Sequence, residues 1–218
     1  MEFFLDILRS VAYGVIEGIT EWLPISSTGH MILAEQVLKF SFSAEFMEMF
    51  RVVIQLGAIL AVVVLYFKKL WPFCADNGRD SGFCRHFRWP VVRLWCKIIV
   101  ACVPAAVLGL LLDDWLDAHL YNSITVALML IIYGIAFILI ERRPRVPTTT
   151  KLSRIPYEQA LIVGAWQVLA LIPGTSRSGS TIIGGLLCGM SRPAASQFTF
   201  FLAIPVMAGA SGLKLVKF

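Results

Sequence analysis

Five apolar runs recur along the chain: Phe50–Phe67, Trp95–Leu112, Tyr121–Ile140, Tyr157–Pro173 and Ala194–Leu213. Each approaches the roughly 20 residues that a helix needs to cross a bilayer. In hydrocarbon the backbone polar groups must be satisfied inside the segment itself, so such runs fold as helices. The chain is therefore predicted to be an all-α polytopic membrane protein, a single transmembrane domain over residues 1–218. Composition agrees, with 58% hydrophobic and only 15% charged residues, against about 25% charged in an ordinary soluble domain. Glu2 and Asp6 precede the first basic residue, so the N-terminus lacks the positive leader of a signal peptide and is expected to remain in the fold.

The formal net charge of +5 points to topology and not to nucleic acid, because the basic residues cluster. Lys68, Lys69, Arg79, Arg85, Arg88 and Arg93 fill one loop, and Arg142, Arg143, Arg145, Lys151 and Arg154 a second; the intervening "DDWLDAH", Asp113 to His119, is acidic. By the positive-inside rule both basic loops are expected in the cytoplasm and the acidic loop outside. The five cysteines, Cys74, Cys84, Cys96, Cys102 and Cys188, form no regular framework. Cys74, Cys84 and His86 match no standard zinc spacing and read as loop residues with free thiols.

With residues 68–94 inside, Phe50–Phe67 runs inward, and the segment before it must begin and end outside. Residues 1–40 then form a hairpin whose first arm, Phe3 to Trp22, ends at Pro24. Its second arm, Met31 to Phe40, spans only about 15 Å as a helix, too short to cross. A re-entrant pair with its tip at "PISSTGH" is the expectation. The plan recurs: "GVIEGITEWLPISSTGH" and "GAWQVLALIPGTSRSGS" align Gly14 with Gly164, Glu17 with Gln167, Pro24 with Pro173, Ser27 with Ser176, and later Phe50 with Phe198. The second hairpin starts inside, so its tip "PGTSRSGST" enters from the opposite face. An inverted-topology repeat follows, with repeat one over about 1–140 and repeat two over about 157–218, and with two re-entrant helical hairpins meeting near the membrane midplane.

The tips carry the side chains that are most costly in a membrane. Glu17 and Glu21 are four apart and share a helix face; two such carboxylates meet water, share a proton or need a cation between them, and Mg²⁺ commonly takes one or two carboxylates plus phosphate oxygens. Ser26, Ser27, Thr28 and His30 follow Pro24. A serine here can simply cap the next helix, or Ser27 can be a nucleophile beside His30, three residues on. In the second tip, Arg177 offers a planar fork for phosphate oxygens. Gly174, Thr175, Ser176, Ser178, Gly179, Ser180 and Thr181 surround it with small residues at a helix start, an arrangement suited to anions or to close helix packing. Carboxylates, a histidine, hydroxyls and an arginine together fit phosphate transfer or hydrolysis on a lipid whose tail stays in the bilayer.

These residues resemble the bacterial undecaprenyl-diphosphate phosphatases, the bacitracin-resistance protein family, through "EGITEWLPISSTGHM" and "PGTSRSGST", with "VIQLGAILAVV" and "SRPAASQFTFFLAIPVM" as further similar segments. The resemblance implies removal of the terminal phosphate of undecaprenyl diphosphate to recycle the cell-wall lipid carrier. It also implies a divalent cation (Mg²⁺ or Ca²⁺) and a multi-pass location in the bacterial inner membrane, with the active site facing outward. By position, Glu17 and Glu21 would be the metal or acid–base carboxylates, Ser27 and His30 the nucleophile and its partner in either order, and Arg177 the phosphate clamp. Ser26, Thr28 and the second-tip residues would line the substrate. The expected partners are a polyprenyl diphosphate lipid, the bilayer and a second copy of the chain as a homodimer, with no nucleic acid. Family members usually continue for about two more helices, so repeat two is expected to lack its last two. The competing reading is a transporter or flippase of polyprenyl phosphates, which needs the inverted repeat but not the serine and histidine.

Overall fold

The computed structural model describes residues 2–73, 87–120, 122–142 and 146–217. Cys74, Cys84 and His86, together with Arg79, Arg85, Arg143 and Arg145, lie outside the described residues. Nine helices carry the described fold: α1 (Glu2–Thr20), α2 (Ser27–Leu38), α3 (Ala44–Leu65), the short α4 (Phe67–Leu70), α5 (Trp89–Leu120), α6 (Ser123–Glu141), α7 (Tyr157–Gln167), α8 (Arg177–Leu187) and α9 (Arg192–Lys217). Four of them, α3, α5, α6 and α9, are long and apolar enough to cross a membrane.

The helices are built inside out relative to a soluble protein. On α1 the buried stripe is Asp6, Tyr13, Glu17 and Thr20, while Phe3, Phe4, Ile7, Leu8, Val11, Val15 and Ile19 face outward. The spacing of seven, four and three residues places the polar stripe on one face of a 3.6-residue period. α6 exposes Ile124, Leu128, Ile131, Ile135 and Ile138, a surface that only a lipid solvent accommodates without penalty.

The apolar run Tyr157–Pro173 is not one span. α7 stops at Gln167 and a 3₁₀ turn takes over at Val168–Leu171. Pro173 lacks the N–H that would bond to the carbonyl of residue 169, and its ring crowds that carbonyl, so the last turn tightens before the proline. Pro24 acts in the same way on α1, which ends at Thr20, four residues before it. A second departure concerns Asp113–His119, expected as a loop: these residues are the last turns of α5, which continues to Leu120. At 1.5 Å per residue this 32-residue helix is about 48 Å long, longer than the hydrocarbon layer, so its acidic end extends beyond it.

α1 packs on α2 and α7 on α8, giving two helical hairpins. The main core lies among α3, α5, α7 and α9, where Ile98, Ala101, Val163, Phe198, Phe201 and Leu202 are sealed from solvent. The two basic segments share one end of this bundle, because Trp95 Nε1 donates to the Leu70 carbonyl at 2.9 Å and Lys97 Nζ to the Ser153 carbonyl at 3.3 Å. α5 and α7 touch at Gly164, where a Cβ would stand 2.3 Å from the Ala101 carbonyl oxygen. Gly14, which sequence alignment pairs with Gly164, has open space instead. Gly164→Ala is therefore expected to destabilise the folded chain by about 1–3 kcal/mol and Gly14→Ala to have little effect; thermal unfolding in detergent checks this, and equal midpoints for the two variants would contradict the close contact.

Candidate active site

The two hairpin tips begin their return helices in the same way. Ser26 caps α2, its Oγ accepting from Gly29 N at 3.4 Å, and Ser176 caps α8, its Oγ accepting from Gly179 N at 3.0 Å. Each cap satisfies one of the orphan donors of a helix start. By this capping geometry Ser26 is the counterpart of Ser176, and the residues that open the two helices are Ser27 and Arg177. Ser26 holds φ at +64°, a left-handed conformation that costs a non-glycine residue about 1–3 kcal/mol and tends to occur at functional sites. Gly174 at φ +87° lets the second tip press on α6, since a Cβ there would lie 2.6 Å from the Val126 Cα.

Glu21 joins the tips. Its Oε1 accepts from Arg177 Nη2 at 2.6 Å and its Oε2 from Ser27 Oγ at 2.6 Å. Both partners of the ion pair are largely shielded, at 13% and 8% side-chain exposure, so water screens it weakly. Ser178 Oγ donates to the Leu23 carbonyl at 3.1 Å, binding the second tip to the backbone of the first. α8 is itself anchored from behind: Thr199 Oγ1 of α9 donates to Thr181 Oγ1, which donates to the Arg177 carbonyl, both at 2.9 Å.

A cavity of about 270 Å³ opens at this junction. Glu21, Ser26, Ser27 and Thr28 line it from the first hairpin, and Thr175, Ser176, Arg177 and Ser178 from the second. Gln55 of α3, Ala170, and Val206, Met207 and Ala210 of α9 complete the lining. Glu17, His30, Gly174, Gly179 and Thr181 are outside the lining. Thr181 faces α9 as described, and Gly174 and Gly179 serve the turn and the cap. His30 Nδ1 lies 2.8 Å from the Ser26 carbonyl oxygen. That oxygen can only accept, so Nδ1 carries the proton and Nε2 is left as the basic nitrogen. No hydrogen bond joins Ser27 to His30 among the described residues; the acceptor for the Ser27 hydroxyl is Glu21.

Glu17 is fully enclosed, and neither of its carboxylate oxygens has a hydrogen-bond partner. Unpaired buried polar atoms are rare in folded proteins. Among the described residues they occur on Glu17, Gln159, Gln167, Thr175 and Arg177, four of which belong to the arms or tips beside the cavity. Two carboxylates, Glu17 and Glu21, interact with one guanidinium here, and their mutual repulsion is relieved by a proton on one of them or by a cation. Among the described residues no cluster of three or more His, Cys, Asp or Glu side chains could hold a metal alone. An ion held by Glu17 and Glu21 would therefore have to complete its shell with substrate oxygens, as Mg²⁺ commonly does.

Residues 10–218 match the family of the bacitracin resistance protein BacA. The chain belongs to that family. Among its relatives are proteins named undecaprenyl-diphosphatase from Enterococcus faecalis strain V583, 58% identical over 99% of this chain and 76% of the relative, and from Streptococcus sanguinis strain SK36, 56% identical over 99% and 76%. The protein of that name from Lactococcus lactis strain IL1403 is 56% identical over 98% of this chain and 76% of the relative. The BacA-family chain here thus corresponds to about three quarters of the length of these relatives.

Two features of the site escaped sequence reasoning. Gln55 was hidden inside an apolar run, although a lone amide between Ile54 and Leu56 is itself a signal at membrane depth. The contact of Ser27 with Glu21 crosses an irregular turn, which no helical spacing rule anticipates. Breaking a buried pair from one side leaves an uncompensated charge, so Arg177→Met and Glu21→Gln should each destabilise the fold by about 3–5 kcal/mol. The double variant should lose less than the sum by about 1–3 kcal/mol. Additive losses in a double-mutant cycle, read from thermal unfolding, would show that the pair does not hold the tips together.

Proposed function

We propose that this BacA-family chain is an integral-membrane phosphatase that hydrolyses undecaprenyl diphosphate to undecaprenyl phosphate and inorganic phosphate, returning the cell-wall lipid carrier to use. The observation that carries this reading is Glu21, held at 2.6 Å by both Arg177 and Ser27 on the wall of one cavity. A hydroxyl bonded to a carboxylate and flanked by a guanidinium is suited to attack on a phosphoanhydride. The names borne by relatives more than 50% identical support the same substrate.

In this reading Arg177 binds oxygens of the terminal phosphate, and Ser26, Thr28, Thr175, Ser176 and Ser178 line the space around it. Ser27 Oγ attacks the terminal phosphorus while its proton passes to Glu21, and the bond to the bridging oxygen breaks. Undecaprenyl phosphate leaves with that oxygen. Water then attacks the phosphoserine phosphorus while His30 Nε2 takes its proton; the Ser27 Oγ–P bond breaks, Glu21 returns its proton to Ser27, and inorganic phosphate leaves, His30 passing its proton to solvent. Glu17 and Glu21 would hold Mg²⁺ or Ca²⁺, which when bound supplies positive charge to the phosphate oxygens.

We further read the two hairpins as re-entrant and as halves of an inverted-topology repeat whose tips meet near the membrane midplane. The like-for-like caps at Ser26 and Ser176, and a proline two residues before the first and three before the second, support this. The basic residues gathered at one end of the bundle support an inner-membrane orientation with that end in the cytoplasm and the site opening outward.

Purified chain in detergent should release phosphate from undecaprenyl diphosphate when Mg²⁺ or Ca²⁺ is supplied; no release under either ion would overturn the enzyme in favour of a carrier. Ser27→Ala and Arg177→Ala should each reduce turnover by at least about 100-fold, and near-wild-type rates for either would remove that residue from the reaction. Glu17→Gln should move the metal titration to higher concentration, and an unchanged titration would make Glu17 structural.

A further inference from the structure

We infer that Gln55 binds the phosphate that stays on the lipid, while Arg177 and its partners take the terminal one; this rests on the phosphatase reading. Gln55 stands midway along α3 (Ala44–Leu65), one of the four helices able to span the membrane. A polar side chain at such depth is costly and usually faces a functional cavity. Gln55 does face one: it lines the 270 Å³ cavity. Its carboxamide makes no hydrogen bond to any described residue, and unlike Gln167 it is not sealed inside the protein. Its two N–H donors are thus unspent and available to what fills the cavity.

The cavity has two chemically distinct sides. The hairpin tips supply charge through Glu21 and Arg177. A second wall is made by α3 and α9, which pack together through Ile59, Ala203 and Met207. That wall is apolar at Val206, Met207 and Ala210, with Gln55 as its polar group. A polyprenyl diphosphate matches this division: the terminal phosphate carries most of the charge and the inner phosphate is bonded to hydrocarbon. With the terminal phosphate at Arg177, the inner phosphate and its first isoprene unit fall on the α3–α9 wall. There an amide can donate to the inner phosphate's non-bridging oxygens. A neutral donor holds that phosphate more weakly than a cation would, which suits a group that must leave with the product.

The test separates ligands that contain the inner phosphate from one that does not. Purified chain, with Gln55→Leu and the closely isosteric Gln55→Met, is assayed for inhibition by undecaprenyl phosphate and by inorganic phosphate. Stabilisation against heat by undecaprenyl phosphate is recorded in parallel, a readout that needs no turnover. Both variants should raise KM for undecaprenyl diphosphate and weaken undecaprenyl phosphate binding about tenfold. Inhibition by inorganic phosphate should stay within about twofold. Unchanged undecaprenyl phosphate binding in a variant that melts like the parent, or equal weakening of both inhibitors, would overturn the assignment. If the parent chain releases no phosphate yet undecaprenyl phosphate stabilises it and this is lost in Gln55→Met, the enzyme reading fails and Gln55 keeps its ligand.

Discussion

The carboxylate of Glu21 receives a guanidinium from a residue 156 positions away and a hydroxyl from a residue 6 positions away. In a mostly apolar surrounding such a group cannot stand alone, since an unpaired buried charge is far costlier than the pair is stabilising. The two hairpins are consequently obliged to keep their tips together. Much of the remaining structure acts to deliver Arg177 to that point. Gly174 allows the tip to press against α6, Ser176 starts α8 in register, and Thr199 and Thr181 hold the first turn of α8 against α9. Tyr133 of α6 adds a further anchor through a 2.8 Å hydrogen bond to Ser180.

Around this junction the protein departs from what stability alone would select. Ser26 adopts a left-handed conformation, Glu17 is enclosed without partners, and Thr175 Oγ1 and Arg177 Nη1 are unpaired. Away from the junction only Gln159 Oε1, of the buried side-chain polar atoms, is left unpaired among the described residues; the half-buried Glu35, by contrast, accepts from Arg51 at 2.8 Å and from Tyr13 at 2.5 Å. Concentrating unsatisfied groups and strain in one place is the pattern of a site whose partners arrive with a ligand.

The apolar runs at 50–67, 95–112, 121–140 and 194–213 were legible because membrane burial demands length and hydrophobicity, and both can be counted. The run at 157–173 met the same count and still broke at Gln167, because a proline six residues further on, two past the 3₁₀ turn, outweighs the hydrophobic signal. Asp113–His119 misled in the opposite sense: acidic residues read as loop, yet nothing in their backbone chemistry ends a helix already under way. For the site, residue type was informative and geometry was not. Glu17, Glu21, Ser27, His30 and Arg177 stood out as expensive side chains in a greasy chain. His30 nevertheless turns its Nδ1 to the Ser26 carbonyl, and Ser27 turns to Glu21 across a turn with no periodicity to reason from.

By itself the sequence determined that this chain is a bundle of membrane helices with two proline-broken hairpins whose tips carry charged and hydroxyl side chains. Those properties follow from hydrophobicity and from the missing N–H of proline, which act locally. Tertiary structure alone decided which polar groups meet: that Arg177 pairs with Glu21, that Gln55 joins the cavity wall while Thr181 leaves it, and that Glu17 is left without a partner. Hydrogen bonds select on distances of a few tenths of an ångström, and only the packed chain sets those distances between residues far apart in sequence.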